Sequence, residues 1–557
     1  MNGYAKTLLL IMVAFTLGLS VGLREDTISP NDVESTQKLI GLDFSTQEID
    51  TMLTYLEENL EGYDSMRKFS RNLNYETVPP IFFDPLPLNF QINPRQEPID
   101  WNYPERELPK DKNEIAFLTI PELASLIRSG KITSVELTEI YLERIKKFDP
   151  QLKAVITVTE DLALSQARKA DQEISSGKYI GPLHGIPYGI KDLFATEKYP
   201  TTWGAMPYKD QIVNYDATIV TKLREAGAVL VAKLTSGALA RGDVWFGGKT
   251  RNPWDLEQGA SGSSAGSGSA TAAGLVGFSI GTETLGSIIS PSTRSGVTGL
   301  RPSYGRVSRY GGMPLSWTMD KPGPICRSAT GCAMVFDVIR GVDNKDRTVK
   351  EASFNYDANA DLGSLKIGYL PKLFENDSSD NAVNNEESLE TLKSMGIQLI
   401  PKKLPEDIPY EVFDIILRAE AGAFFDDLVR SKRDSLMVQQ HKGSRANSLR
   451  QSRFIPAVEY LQANRHRAIL IERMHDLMQD IDILISPTFG FRQLLITNLT
   501  GHPAMSLPNG LDDKGRPTSF TIVGNLFDEA ALITFAEKFQ DRTAFEESHP
   551  PNFAKSE

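Results

Sequence analysis

Residues 259–274 read GASGSSAGSGSATAAG, sixteen consecutive positions with no side chain larger than that of threonine. Such a segment either stays in solvent as a linker or lies buried where neighbouring backbone leaves no room for bulk. Its flanks decide between the two. It runs directly into LVGFSIGTETLGS, which is apolar and strand-like, whereas Gly/Ser linkers sit between polar neighbours. Its second half, SGSATAAG, suits a helix packed tightly through small side chains.

The rest of the chain supplies what such an element would pack against. AVLVAKL (228–234) and DILISP (482–487) read as short β-rich runs, and TIVTKLREAG (218–227) reads as helix. Thr119–Glu122 and Thr133–Glu136 are capping boxes, predicting one helix that ends near Gly130 and a second that runs through Lys147. Alternating strands and helices predict an α/β fold: a mixed, mostly parallel central sheet flanked by helices, with a helical insertion. The globular body spans 114–545, with 375–480 as the more helical insertion and 546–557 as a C-terminal tail. Before it, residues 78–113 hold eight prolines between Pro79 and Pro109 and predict an extended strap. Phe82, Phe83 and Trp101 would be costly to leave in water, so the strap should lie on the body.

Residues 23–77 read as a helical extension, with a Ser45–Glu48 capping box ahead of an apolar stripe at Ile49, Met52, Leu53, Leu56 and Leu60. The first 22 residues carry Lys6, an apolar run from Leu8 to about Val21, and small residues at Ser20 and Gly22. That is the pattern of a signal peptide cleaved near Gly22, which would make the protein secreted or periplasmic; an uncleaved anchor is the alternative. Net charge is −12 with no dense Lys/Arg block, which argues against a nucleic-acid partner. No second run approaches membrane-spanning length, so no stable membrane insertion is expected once the signal is removed. The two cysteines, Cys326 and Cys332, fit either a short-range disulfide or two buried thiols. The six histidines form no metal signature, and no metal or other cofactor is expected.

Gly262–Gly266, GSSAG, matches the G-x-S-x-G nucleophile elbow. That motif needs a strand just before the serine and a histidine as general base. The preceding KTRNPWDLEQGA is polar and predicts no strand, and neither His502 nor His549 is clearly placed as a base.

Two further segments make a different pattern. GPLHGIPYGIKDLF (181–194) puts Lys191 at the end of an apolar, glycine-punctuated run, and the loop after FSIGTE carries Ser287. Lys191, Ser263 and Ser287, the last two 24 residues apart, occur in the order and spacing of the amidase signature family, which the chain resembles. TRNPWD (250–255), MDKPGPICRS (319–328) and NLTGHPAMSLPNG (498–510) extend the resemblance over about residues 115–540.

The resemblance implies an acyl-enzyme on Ser287, with Ser263 bridging to Lys191 as general base and a cis peptide bond at Gly262–Ser263. It places the oxyanion hole at the backbone N–H groups of Thr284, Leu285, Gly286 and Ser287. Lys191 would then have to be neutral, with apolar neighbours lowering its pKa and Asp192 pointing elsewhere. The expected activity is hydrolysis of a linear carboxamide, small-molecule or peptide, with possible ester or carbamate turnover.

The family loop reads G-T/S-D-T/I-G-G-S-I-R-x-P, and here it is GTETLGSIISP. Glu283 replaces Asp, Leu285 replaces a glycine and is strained if that position needs φ > 0, and Ile289 replaces an arginine for which Arg294 is a candidate substitute. Ala265 replaces a glycine in the first motif. These departures motivate one alternative, an exported non-catalytic binding protein with the same fold. A His-dependent serine esterase using GSSAG is the other. Trp317 and Phe246 are candidates for the acyl pocket.

Overall fold

The computed structural model describes residues 28–39, 46, 49–50, 53, 83–101, 103–406, 408–453, 455–490 and 492–554. The chain divides into two compact units, Met1–Asn74 and Tyr75–Glu557. In the first, helix Pro30–Gln37 starts at a Ser29–Asp32 capping box. The 1–22 leader, most of the stripe that follows Ser45, and Phe82 lie outside the described residues.

The second unit is built on an eleven-stranded sheet. In chain order its strands are β1 (Val155–Val158), β2 (Pro187–Lys191), β3 (Val229–Leu234), β4 (Phe278–Glu283), β5 (Thr298–Arg301) and β6 (Lys321–Cys326). They continue with β7 (Ile367–Tyr369), β8 (Leu399–Pro401), β9 (Ile483–Pro487), β10 (Ala504–Leu511) and β11 (Pro517–Gly524). The spatial order is β1-β3-β2-β4-β6-β5-β10-β11-β9-β7-β8. This is the expected mixed α/β sheet with one difference. Six of its neighbouring pairs are antiparallel and four are parallel. The tight turn at Asp512–Arg516 shows why for one pair, since only antiparallel neighbours such as β10 and β11 can be joined so briefly.

Alternate strand residues feed two apolar layers, as a side-chain period of two requires. Ile483, Ile485, Met505 and Phe520 enter one cluster with helix Ala329–Ile339. Leu484, Ala504 and Val523 enter the other with Ile289 and the helices between 414 and 478. That segment is less purely helical than expected, because 375–480 also supplies β8, a short edge strand ending in proline.

Both capping boxes of the body form. Thr119 and Glu122 open helix Ile120–Arg128. Thr133 and Glu136 open Ser134–Leu152, which outruns Lys147 because Phe148 and Leu152 still have a core to enter. Among the described residues, the proline-rich stretch from Phe83 to Lys110 has neither helix nor strand. Phe83 meets Tyr304 edge-on at 5.3 Å, Trp101 stacks on Tyr356 at 5.6 Å, and Ser353 N–H donates to Asn93 O at 2.8 Å. Cys326 and Cys332 are buried free thiols. Among the described residues, no helix is long and apolar enough to cross a membrane.

Candidate active site

The small-residue segment becomes a loop followed by helix Ala265–Ala272, every residue of which is buried. Close backbone approach explains its composition. A Cβ on Gly266 would meet Ala154 O at 2.3 Å and Thr235 N at 2.4 Å, and one on Gly262 would meet Gly242 O at 1.9 Å. The peptide bond Gly262–Ser263 is cis. The preceding residues do contain strand, contrary to expectation: Arg251–Asn252 pairs with Asp255–Gly259 in a small hairpin. That hairpin stands outside the main sheet, so it does not build the strand-to-helix elbow of a G-x-S-x-G hydrolase.

Lys191 ends β2 and is fully buried. Its Nζ lies 2.8 Å from Ser263 Oγ, 3.0 Å from Ser264 Oγ and 2.9 Å from Thr282 Oγ1. Burial drives its pKa down to about 7, against the opposing pull of the Asp320 and Glu283 charges. Asp192, its chain neighbour, turns the other way, accepts from Thr202 N at 2.8 Å and pairs with Lys233 at 2.8 Å.

Ser287 lies in the turn after β4, half-buried. Two contacts fasten this turn to the Ser263 loop: Ser264 N–H donates to Ser287 O at 3.2 Å, and the Ser261 and Ser290 hydroxyls meet at 2.7 Å. Among the described residues, the N–H groups of Leu285, Gly286 and Ser287 donate to no protein acceptor. The left-handed residue of the turn is Gly286, with φ +84°, and Leu285 is not among the residues at positive φ. The strain expected at Leu285 is therefore absent; its side chain points partly into solvent, 38% exposed.

Glu283 fixes the turn from below. Its Oε2 accepts from Ile288 N at 2.8 Å and Ile289 N at 3.0 Å, and its Oε1 accepts from Arg301 at 2.7 Å and Asn498 at 2.8 Å. Burial alone would raise the Glu283 pKa; the Arg301 charge and these hydrogen bonds overcome it and hold the group at about 2. Arg301 is thus the arginine that supports this loop. Arg294 is not: the charged neighbours that act on it are Arg516, Asp243 and Asp255. Ile289 is an apolar core residue.

Sequence reasoning missed Arg301, Asn498 and Thr282, and it named Thr284 only for its backbone N–H and not for the hydroxyl that donates to Asp320. Strand alternation held a usable signal, because Thr282 and Thr284 flank Glu283 on β4 and its continuation and so face the opposite side. These two threonines line a narrow cavity with Phe194, Trp317, Asp320 and Lys321, with about 20 Å³ free, room for roughly one water. Phe246 does not line it and packs on Trp245 at 5.0 Å. Ser264, the elbow candidate, is taken up by Lys191 and by Thr282 O at 3.1 Å. His502 is buried against Thr500 Oγ1 at 2.8 Å and pushed down to about 3 by burial, and His549 stacks on Phe117 at 4.4 Å. Neither histidine bonds a serine of this site among the described residues.

Comparison with known proteins bears on the family and the fold. The family model described as Amidase matches residues 136–533. The A subunit of a glutamyl-tRNA(Gln) amidotransferase from Halorhodospira halophila is 33% identical over 482 residues, 78% of this chain and 99% of that protein. The native peptide amidase of Stenotrophomonas maltophilia superposes with a TM-score of 0.69 at 28% identity, covering 78% of this chain and 99% of its own. An amidase family protein from Bacillus anthracis gives 0.70 at 27% identity, covering 80% and 95%.

Proposed function

The chain belongs to the amidase family, and on that premise we propose that it is an exported serine amidase that hydrolyses the C–N bond of a linear carboxamide. The observation that carries the reading is the buried Lys191 amine, 2.8 Å from Ser263 Oγ and close to neutral at physiological pH. A neutral amine has a lone pair and can accept the Ser263 proton, while Ser263 accepts that of Ser287. The Ser287 oxygen attacks the carbonyl carbon, and the oxyanion is met by the N–H groups of the 285–287 turn, each such donor being worth about 10²–10³ in rate. Lys191 then returns its proton through Ser263 to the leaving nitrogen, the C–N bond breaks, and water entering by the same relay releases the acid. The N–H groups at Leu285–Ser287, unpartnered among the described residues, and the left-handed Gly286 speak for turnover over a binding-only role. That neither His502 nor His549 bonds a serine of this site among the described residues speaks against the esterase alternative.

A second reading has a specific observation behind it. Likeness to amidotransferase A subunits over 78% of the chain favours an amidotransferase component that works with a partner protein. The signal-like leader favours export and a free-standing enzyme. Ester and carbamate turnover belong to the same acyl-transfer chemistry.

A fluorophosphonate probe tests the mechanism. Wild type labels and Ser287→Ala does not; a well-folded wild type that takes no label rejects it. Turnover of a panel of peptide amides, anilides and glutamine, alongside N-terminal sequencing of protein recovered outside the cytosol, separates the free amidase from the amidotransferase component.

A further inference from the structure

Thr284 opens the turn that carries the free N–H groups, and its hydroxyl donates to Asp320 Oδ1 at 2.5 Å. The other oxygen of Asp320 accepts from Leu315 N at 2.7 Å and Ser316 N at 2.9 Å. Burial pushes the Asp320 pKa up; these three donors and the Arg309 charge oppose it and favour the ionised carboxylate. The loop so gripped carries Trp317, and Trp317, Thr282, Thr284 and Asp320 line the same cavity.

That loop is held equally firmly from its far side. Ser316 Oγ and Thr318 Oγ1 donate to Glu420 at 2.6 and 2.8 Å, and Arg467 donates to Thr318 Oγ1 and Thr318 O at 2.7 Å each. Trp317 O accepts from Tyr304 at 2.8 Å and Arg309 at 2.5 Å. Glu420 and Arg467 belong to helices Asp414–Phe424 and Ala457–Met478. A chain of hydrogen bonds thus runs from the helical segment, through the Trp317 loop and Asp320, to the turn that holds Ser287.

We infer that Asp320 is a positioning residue of the hydrolytic reaction, fixing the oxyanion turn and the Trp317 wall of the cavity to one another. This rests on the amidase reading above. Its carboxylate does two separable things. Through the Thr284 hydroxyl it sets where the following N–H groups point. As a negative charge near Lys191 it favours the ammonium form, opposing burial; Glu283 is the other charge acting on that amine, and Arg301 pairs with it.

The two actions give different readouts for the full chain assayed with a chromogenic amide across pH. Asp320→Asn lowers kcat by about ten- to a hundredfold, the scale of a misplaced catalytic group. It also moves the acid limb of kcat/KM to lower pH, because losing a negative charge lets Lys191 stay neutral further down. Thr284→Val gives a comparable kcat loss with the acid limb unmoved. Glu420→Gln loosens the cavity wall and shows mainly as a higher KM. Wild-type kcat in Asp320→Asn overturns the inference, and so does a kcat loss with an unmoved limb, which marks a merely structural residue. If Asp320→Asn does not fold, wild-type kcat in Thr284→Val overturns it instead. Wild type that neither labels with fluorophosphonate nor turns over any amide refutes the amidase reading itself, a result visible before any variant is made.

Discussion

Lys191 and Lys233 sit on adjacent parallel strands, β2 and β3, and both are fully buried. Burial pushes both amines down. Their partners differ. Lys233 meets the Asp192 carboxylate at 2.8 Å, Pro200 O at 2.6 Å and Thr201 Oγ1 at 2.6 Å, so its ammonium is matched by a charge. Lys191 meets three hydroxyls and no carboxylate within bonding distance among the described residues. One strand therefore holds a lysine as a buried ion pair, and its neighbour holds one among hydroxyls with its pKa lowered to about 7. The residue type and its burial are the same; the ligands decide the chemistry.

The largest effect that would break this contrast is on turnover. Lys191→Met is expected to lower kcat by about 10³-fold or more, since relay and nucleophile activation go together. Lys233→Met, measured on folded protein, should keep turnover within about tenfold of wild type. Equal losses in the two variants would mean that Lys191 has no special chemical role. The second effect reverses the ranking. Removing Lys233 leaves Asp192 as an unmatched buried charge, which costs about 3–5 kcal/mol, whereas removing both partners costs much less. Urea unfolding of Lys233→Met and of Lys233→Met/Asp192→Asn reads this directly, and a double variant no more stable than the single one would reject the pairing.

The sequence separates these two lysines only partly. Ile186, Ile190 and Leu193 around Lys191 made its burial legible, and ordered motifs linked it to Ser263 and Ser287. Lys233 passed unnoticed inside AVLVAKL, because a lysine in an apolar run gives no hint of its partner when that partner, Asp192, arrives from the turn after another strand. The same limit hid Arg301 and Asn498, which converge on Glu283 from residues far along the chain. Fold class was readable because strand and helix periods are local. The balance of parallel and antiparallel pairs was not, since it depends on which distant strands become neighbours. At Leu285 a local rule misled: the loop does need a left-handed glycine, but Gly286 fills that position.

The smallest effect, and the most discriminating, is the pH dependence of stability. The Lys191 amine has a folded pKa of about 7 against an ordinary 10.5. Between those two values the unfolded chain holds a proton that the folded chain lacks, so unfolding takes up a proton and stability rises with pH across the window. Below about pH 7 the amine is charged in both states and the cost of burying it is present in full; above about pH 10.5 it vanishes. Lys191→Met removes that cost. The variant should be more stable than wild type at pH 7, by a few kcal/mol at most, and the gain should shrink steadily toward pH 10. Lys233→Met should be less stable than wild type at the same pH. Urea midpoints at pH 7, 8.5 and 10 for both variants measure the two slopes. A Lys191→Met protein destabilised as much as Lys233→Met, with no dependence on pH, would place both lysines in the same structural class and remove the physical basis for a neutral base at Lys191.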